Sequence, residues 1–363
     1  MPIISRRDFI TMTTASLAVS AYSPLSLSST NHKNKLGVAL VGLGYYSRDL
    51  LAPALNITEH CELRGIVTGS PDKIPVWQKK YGIKDSNVYS YETMHEIANN
   101  PDIDIVYVVV PTALHLKYCE IAANAGKHVW CEKPMAMTVK QCQQIIDVCN
   151  KNKVNLSVGY RMQHEPNTRE MAAYHKSLPY GKIKSLSAFA GYGGNGGPAD
   201  NWRMQKAMGG GAMYDMGVYA VNEARFLTGL EPISITASHE KSHPDIFKEV
   251  DETTYFTLDF ANGLSADCGT SVVKRFNKAR VECKTGWYQL SPMQSYTGVT
   301  GTTSDGKVLA PYSGIQQALQ MDNDALAILN KSPVLVPGEE GLKDINIVNA
   351  AFESAKNGKA VLL

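Results

Sequence analysis

Apolar runs typical of strands alternate with helical segments through the first half of the chain. Strand patterns lie at 36–41, 63–68, 103–110, 128–131 and 155–158, with helical patterns between them at 48–58, 73–81, 116–125 and 139–150. The run at 103–110 is almost continuously apolar, which is typical of a strand buried on both faces. Strands that alternate with helices of about 10–15 residues predict βαβ units around a parallel sheet.

The pattern changes at about Gly159, where short strands follow one another with few helices between them. Strand patterns lie at 183–190, 233–239, 253–260, 263–269, 278–285 and 286–291, and helical patterns return at 316–330 and 341–357. Asn262-Gly263, between two of these strands, is a hairpin signal. We therefore predict two folded domains, 33–158 and 159–363, after an N-terminal segment that covers 1–30.

Composition agrees with two domains and excludes several classes of protein. The chain has 363 residues, and domains usually contain about 100–200. With 36 Lys and Arg against 34 Asp and Glu, it lacks the basic excess of a nucleic-acid-binding protein. No apolar run reaches the roughly 18–20 residues of a membrane-spanning helix. A globular protein with a small-molecule partner, and with no nucleic-acid or membrane partner, is expected.

The first thirty residues differ from the rest of the chain. Ser5-Arg6-Arg7-Asp8-Phe9-Ile10 precedes a weakly apolar stretch that is rich in Thr, Ala and Ser. A twin arginine before an apolar segment and small residues resembles a twin-arginine export signal, and Val19-Ser20-Ala21 offers a cleavage point. The alternative is a disordered N-terminus in which two arginines are adjacent by chance. The signal reading predicts a periplasmic protein.

The seven cysteines do not form the pattern of a disulfide scaffold. Their number is odd, and no Cys-x-x-Cys pair occurs. Cys131, Cys142 and Cys149 lie among apolar neighbours. Buried thiols are therefore expected, and no metal site is predicted.

A glycine-rich turn follows the first predicted strand. Gly42-Leu43-Gly44-Tyr45-Tyr46-Ser47 is a partial match to the G-x-G-x-x-G fingerprint, with Ser47 at the third glycine position. Gly42 permits a tight turn, and Gly44 lets the backbone approach a pyrophosphate at the N-terminus of the next helix. An ordinary glycine turn is the alternative. The position of the glycine motif between a predicted strand and a predicted helix favours dinucleotide binding.

The end of the second strand indicates which dinucleotide is bound. An NAD site usually has an acidic residue there, which hydrogen-bonds the ribose 2′-hydroxyl. Here Thr68-Gly69-Ser70-Pro71-Asp72-Lys73 has no acid at the strand tip, and Ser70 and Lys73 could bind a 2′-phosphate. The sequence therefore predicts NADP in preference to NAD.

Four separated segments carry a family resemblance. They are Glu132-Lys133-Pro134, Tyr160-Arg161, Trp202-Arg203 with Gly209-Gly210-Gly211-Ala212-Met213-Tyr214-Asp215-Met216-Gly217-Val218-Tyr219, and Pro337-Gly338-Glu339-Glu340-Gly341. The set closely resembles the glucose–fructose oxidoreductase / inositol dehydrogenase family of sugar enzymes, and within it the glucose–fructose oxidoreductases. The resemblance covers nearly all of the chain from about Leu36. It implies an α/β fold with an N-terminal Rossmann parallel-sheet domain. It also implies a C-terminal α+β domain whose large, mostly antiparallel open sheet covers the sugar site and forms homo-oligomer contacts, in a dimer or tetramer.

Three residues are candidates for the chemistry. Oxidation of an alcohol needs a hydride acceptor and a base for the hydroxyl proton. A tyrosine, whose ordinary pKa is about 10, serves as that base only beside a cation that stabilises the phenolate. Lys133 is the candidate cation, and Asp215 and Tyr219 lie four residues apart in a helical stretch, on one face. By resemblance Tyr219 is the acid/base, Lys133 activates it, Asp215 orients the sugar, and the Lys133–Pro134 bond is cis.

The glycine motif and the resemblance together predict the cofactor contacts. The family uses the loop around His115 against the cofactor, and Trp202-Arg203 reaches its nicotinamide end. The predicted set is Gly42, Leu43, Gly44, Tyr45, Tyr46, Thr68, Gly69, Ser70, Lys73, Pro111, Thr112, Leu114, His115, Glu132, Lys133, Arg161, Trp202 and Arg203. Taken singly, these residues also have ordinary explanations, such as a surface turn for Glu-Lys-Pro or a core position for Tyr219.

The leading hypothesis is an exported NADP-dependent sugar oxidoreductase that transfers a hydride between the anomeric carbon of an aldose and nicotinamide. In the relatives that the chain resembles most, the cofactor stays bound while one sugar becomes a lactone and a second sugar is reduced. Those relatives hold it partly with a long Pro-rich N-terminal arm, whereas about fourteen residues separate Ala21 from the first strand here. The alternatives are a sugar dehydrogenase or reductase with exchangeable NAD(P), an NAD-dependent glycosidase of the same fold, and a non-catalytic sugar-binding protein.

Overall fold

Six parallel strands form the first sheet of the computed structural model, which describes residues 35–194, 197–198 and 201–363. The strands are β1 (Leu36–Val41), β2 (Cys61–Val67), β3 (Val88–Tyr89), β4 (Ile105–Val108), β5 (His128–Cys131) and β6 (Leu156–Val158). Their order across the sheet is β3-β2-β1-β4-β5-β6. The direction in which successive strands are added to the sheet reverses between β1 and β4, and doubly wound sheets bind nucleotides beyond the carboxyl ends of the strands at this point. The predicted Rossmann sheet is confirmed, and the predicted export signal lies outside the described residues.

Four helices cover this sheet. They are α1 (Ala52–Leu55), α2 (Ile74–Tyr81), α3 (His115–Asn124) and α4 (Val139–Asn152). The helix expected at 48–58 is divided into a π-helical turn, Ser47–Leu51, and the short α1. Pro53 has no N–H and is tolerated only in the first turn of a helix, which explains why a new helical segment begins at Ala52.

Nine strands form the second sheet. They are β7 (Ile183–Gly191), β8 (Pro232–Glu240), β9 (Thr253–Phe260), β10 (Ser265–Ser271), β11 (Asn277–Cys283), β12 (Trp287–Leu290), β13 (Gly301–Thr303), β14 (Val308–Leu309) and β15 (Val361–Leu362). The order is β14-β13-β12-β11-β7-β10-β9-β8-β15, and every neighbouring pair except β7 and β10 is antiparallel. The predicted mostly antiparallel open sheet is confirmed.

Four further helices accompany the second sheet. They are α5 (Pro166–Ser177), α6 (Val218–Thr228), α7 (Gln316–Leu329) and α8 (Gly338–Asn357). The helix α5 was not predicted, and α6 was predicted only at its beginning. Ten of the eleven residues of α6 are buried, and these include the polar Asn222, Glu223 and Arg225. Polar and apolar residues therefore do not separate into an exposed and a buried face from which a helical period could be recognised.

The last two helices return to the first sheet. Ala318, Met321 and Ala325 of α7 lie in the core that covers one face of β1 and β2. At Gly341 of α8 a Cβ atom would lie 2.8 Å from the Cβ of Met135, so only glycine allows this close approach. Residues 35–363 form one compact unit. The predicted domain boundary between 158 and 159 therefore stays a prediction.

The cysteines agree with the expectation of buried thiols. All seven are unpaired and buried, and burial raises the pKa of Cys142 and of Cys149 to about 12. Among the described helices, none combines the length and apolar character that crossing a membrane requires.

Candidate active site

The glycine turn after β1 leaves space for a ligand. Gly42 has a φ of +92°, and a Cβ atom there would lie 2.5 Å from the Val109 carbonyl oxygen, so the turn requires glycine. Beside Gly44 no atom would lie within 4 Å of an added Cβ. The Gly44 carbonyl accepts the first bond of the following helical turn, from Arg48 N at 2.9 Å. The open side of the turn therefore faces a helix N-terminus, an arrangement that fits a pyrophosphate.

Ser47 explains the departure from the glycine fingerprint. Its side chain is fully buried, and its hydroxyl donates a hydrogen bond of 2.6 Å to the Gly42 carbonyl. A serine at the third position therefore braces the turn from inside.

The end of β2 brings a lysine to the same turn. The Thr68 hydroxyl accepts a 3.1 Å hydrogen bond from Ser70 N, which shapes the loop. Lys73 Nζ donates to the Leu43 carbonyl at 3.2 Å. Its ammonium thus lies beside the glycine turn, while Gly69 packs near the Tyr91 ring. This arrangement fits a phosphate on the adenosine ribose.

His115 joins two loops at the carboxyl ends of β4 and β5. One ring nitrogen lies 2.8 Å from the Val110 carbonyl and the other 2.9 Å from the Pro134 carbonyl. Burial alone would lower the pKa of His115, but Cys131 and the two carbonyls outweigh burial and raise it. Both contacts are hydrogen bonds when the ring carries two protons. His115 is buried, so in this structure it holds the loops together from inside.

The rest of the loop after β4 lies against the second half of the chain. Thr112 is buried next to Gly209, and Pro111 and Leu114 are partly buried. The loop is therefore fixed on one side, and its contribution to cofactor binding stays a prediction.

The loop after β5 positions Lys133. The Lys133–Pro134 bond is cis, as predicted. The buried Glu132 carboxylate accepts a 2.6 Å hydrogen bond from the Tyr107 hydroxyl and a 3.1 Å bond from Lys133 N. Burial raises the pKa of Glu132, and the Tyr107 hydroxyl and the Lys133 ammonium oppose that rise. The loop backbone is therefore tied to the core of the first sheet.

The Lys133 ammonium lies between the other two predicted catalytic residues. It donates a 2.8 Å hydrogen bond to the Asp215 carbonyl oxygen and lies 3.9 Å from Asp215 Oδ1. It also lies 4.5 Å from the centre of the Tyr219 ring. Asp215 belongs to a π-helical turn, Met213–Gly217, and Tyr219 to the first turn of α6. The structure thus brings Lys133, Asp215 and Tyr219 together.

A second cation pairs with Asp215. Arg203 Nε donates to Asp215 Oδ2 at 3.1 Å, and its guanidinium lies 4.5 Å from the Trp202 ring. Burial lowers the pKa of Arg203, but Asp215 outweighs burial and raises it. The Asp215 carboxylate has a cation near each oxygen and can accept hydrogen bonds from hydroxyl groups of a ligand.

Arg161 links Tyr219 to a residue that the sequence did not indicate. Its guanidinium is buried 5.7 Å from the Tyr219 ring and 4.7 Å from the ring of Tyr296. Tyr296 in turn lies 6.0 Å from Tyr46 of the glycine turn. A single tyrosine in the loop between β12 and β13 carries no motif, so no sequence signal could have found it.

The predicted residues therefore gather at the carboxyl ends of β1, β2, β4, β5 and β6, next to the beginning of α6. Tyr45 is open to solvent, with 59% of its surface exposed. Which of these residues contact a bound cofactor stays a prediction. The fold and this site define a class of protein, the pyridine-nucleotide oxidoreductases.

Comparison with known proteins identifies the family within this class. A model of the oxidoreductase family with an NAD-binding Rossmann fold matches residues 36–160, and a model of the GFO/IDH/MocA C-terminal domain matches 168–289. The chain is 35% identical to the aldose-aldose oxidoreductase of Caulobacter crescentus, with a TM-score of 0.87 over 91% of this chain and 100% of that one. The chain belongs to the GFO/IDH/MocA oxidoreductase family, as the resemblance predicted.

Two further relatives extend the comparison. The NADP-dependent D-xylose 1-dehydrogenase of Haloarcula marismortui is 27% identical over 357 residues, which cover 91% of this chain and 94% of that protein. The scyllo-inositol dehydrogenase of Lactobacillus casei, solved with NAD(H) and scyllo-inositol, shares the fold at 20% identity with a TM-score of 0.75 over 90% of this chain and 99% of that one.

Proposed function

We propose that this protein is an NADP-dependent sugar oxidoreductase that acts at the anomeric carbon of an aldose. The observation that carries the proposal is the contact of the Lys133 ammonium with both Asp215 and the Tyr219 ring, at the carboxyl edge of a Rossmann sheet. The aldose-aldose oxidoreductase and the D-xylose 1-dehydrogenase, both matched over nearly their whole length, support a sugar substrate.

Each residue of this group has a role in the proposed reaction. Tyr219 takes the proton of the anomeric hydroxyl, and the Lys133 ammonium stabilises the phenolate form that accepts it. The Asp215 carboxylate, paired with Arg203, accepts hydrogen bonds from sugar hydroxyls and so orients the anomeric carbon. Bound nicotinamide would supply the hydride acceptor. The glycine turn at 42–44, Lys73, Glu132 and Trp202 are the residues that would hold the nucleotide.

NADP is favoured over NAD by the end of β2. No carboxylate lies at the strand tip, and the Lys73 ammonium lies beside the glycine turn, where it could pair with a 2′-phosphate. The NADP-dependent relative from Haloarcula marismortui supports this assignment.

We further propose that the cofactor stays bound while a second sugar is reduced. Oxidation of the first aldose gives a lactone, and the hydride then passes to the second sugar to give an alditol. The relative from Caulobacter crescentus, an aldose-aldose oxidoreductase, favours this version. The D-xylose 1-dehydrogenase favours the second candidate, a dehydrogenase that exchanges its cofactor.

Identification of the bound nucleotide tests the proposal. Purified protein should release NADP or NADPH on denaturation and should convert pairs of sugars without added nucleotide. Turnover of a single aldose with added NADP, by protein that carries no nucleotide, would select the exchanging dehydrogenase instead. Release of free sugar from an aryl glycoside without net redox change would select a glycosidase.

Export by the twin-arginine route is also proposed, on the basis of Arg6 and Arg7. We expect Arg6→Lys with Arg7→Lys to keep the protein in the cytoplasm, because the twin-arginine receptor reads the arginine pair. Cell fractionation with an antibody against the folded part of the chain measures this. Arg48→Lys, an exposed surface arginine, is the matched control. Periplasmic protein from the double variant would contradict the proposal.

The outer face of the second sheet is the proposed contact between subunits. Phe189 and Tyr255 are half-buried on this face, 5.4 and 6.1 Å from the ring of Phe276. Helix α6 packs on β7 and β10 of this sheet, and α8 packs on β8. We expect a dimer or tetramer in analytical ultracentrifugation, and dissociation of that assembly by Phe189→Glu. A wild-type monomer at micromolar concentration would contradict this assignment.

A further inference from the structure

Tyr296 lies at the opening of the candidate active site. It belongs to the loop that joins β12 to β13, and 38% of its surface is exposed. One face of its ring receives the Arg161 guanidinium at 4.7 Å, and the Tyr46 ring lies 6.0 Å away at an angle of 40°. Tyr296 therefore places the loop between β12 and β13 next to the glycine turn.

The loop that carries Tyr296 is held in place by buried groups. Arg161 donates hydrogen bonds to the carbonyls of Gln294 and Ser295 and to the side chain of Gln316. The Asn277 side-chain oxygen accepts from Met293 N at 2.8 Å and from Gln294 N at 2.9 Å. Because Arg161 and Asn277 both hold the backbone of the loop next to Tyr296, the position of the Tyr296 ring relative to Tyr219 is set before any ligand binds.

The Tyr296 hydroxyl is available to a ligand. Within 35–194, 197–198 and 201–363 it makes no hydrogen bond, and neither does the Tyr219 hydroxyl. Burial raises the pKa of Tyr296, and the nearby Tyr219 raises it further, while the Arg161 guanidinium opposes part of this rise. The phenol therefore remains protonated at neutral pH and can both donate and accept a hydrogen bond.

We propose that the Tyr296 hydroxyl recognises one secondary hydroxyl of the sugar and so selects the configuration that this site accepts. The Arg161 guanidinium contacts the rings of both Tyr219 and Tyr296, so the two phenols lie beside the same buried cation. A sugar whose anomeric hydroxyl contacts Tyr219 therefore brings another of its hydroxyl groups close to Tyr296. A site that hydrogen-bonds a substrate hydroxyl discriminates strongly against analogues that lack it. The inference rests on the proposed sugar oxidoreductase function.

The test is a double-mutant cycle between Tyr296→Phe and the monodeoxy analogues of the preferred aldose. For the parent aldose we expect Tyr296→Phe to lower kcat/KM about tenfold, mainly through KM, because one hydrogen bond is lost. For one deoxy analogue, wild type and Tyr296→Phe should have the same kcat/KM within about twofold. A purely structural role would lower kcat/KM for every analogue alike.

Tyr288→Phe is the matched control, because Tyr288 lies on β12 and its buried hydroxyl makes no hydrogen bond in the described part of the chain. It should leave the kinetics unchanged, and bound nucleotide in Tyr296→Phe should match wild type. Equal losses for all deoxy analogues would overturn the role of Tyr296 while leaving the sugar oxidoreductase function intact. Wild-type protein that oxidises no aldose in the presence of NADP would instead overturn the proposed function, and with it this inference.

Discussion

We expect Tyr219→Phe to lower kcat for the sugar by about a hundredfold to ten-thousandfold, the range of general acid–base catalysis. The substitution removes the only group that we assign to take the hydroxyl proton, and it keeps the ring that lies 4.5 Å from Lys133 Nζ. Nucleotide binding should be unchanged, because the hydroxyl is not among the groups at the glycine turn. Loss in kcat with an unchanged nucleotide content would therefore locate the defect in the chemical step.

Single-turnover kinetics at the nicotinamide absorbance would measure this loss. Tyr118→Phe is a suitable control, because Tyr118 is a buried tyrosine of α3 that packs on Tyr91 at 5.0 Å, outside the site. A Tyr219→Phe variant that retains the wild-type rate would exclude Tyr219 as the acid/base. Lys133 and Asp215 would then need another proton acceptor.

We expect Arg225→Met to lower the free energy of unfolding by about 3–5 kcal/mol, the effect of breaking a buried ion pair. The buried guanidinium donates to Asp344 Oδ1 at 2.6 Å, to Glu231 at 2.6 Å and to Glu340 at 3.0 Å. Burial raises the pKa of Asp344, and Arg225 opposes that rise. Methionine would leave the buried Asp344 carboxylate without its cation, although the hydrogen bond from Asn222 would remain.

Urea unfolding measures the change, with Lys343→Met as the control. Lys343 pairs with Glu231 and Glu340 at the surface, where such pairs contribute about 0–1 kcal/mol. Adding Asp344→Leu to Arg225→Met should recover part of the loss, because no unpaired carboxylate then remains. If Arg225→Met lowered the free energy of unfolding no more than Lys343→Met does, the ion-pair network of Arg225 would not stabilise the packing of α6 on α8.

The first sheet could be predicted because its strands are buried on both faces and its helices are amphipathic. β1 and β5 occupy the predicted residues. The third predicted strand was too long, since β4 ends at Val108. Val109 and Val110 are apolar, but their carbonyls serve the site: one lies against Gly42 and the other contacts His115. An apolar pattern cannot distinguish such loop residues from a strand.

The family resemblance predicted Lys133, Asp215 and Tyr219 as a group, and the need of a tyrosine base for a nearby cation agreed with it. The structure brings the three side chains together, and their catalytic role stays a prediction. Tyr107 and Tyr296 could not be predicted in the same way. Their roles depend on contacts with residues that lie far away in the sequence, such as Glu132 and Arg161.

The return of α7 to the first sheet has a consequence for the order of events during synthesis. Met321 completes a core whose strands β1 and β2 end at Val41 and Val67, more than 250 residues earlier. A ribosome that has made only the parallel sheet has therefore produced a half in which α1 and α2 cover one face of β1 and β2 without the contacts of α7. The core of β1 and β2 is completed only when α7 has left the ribosome, after nearly the whole chain has been made. We therefore expect stable nucleotide binding to follow the packing of α7, late in the synthesis of the chain.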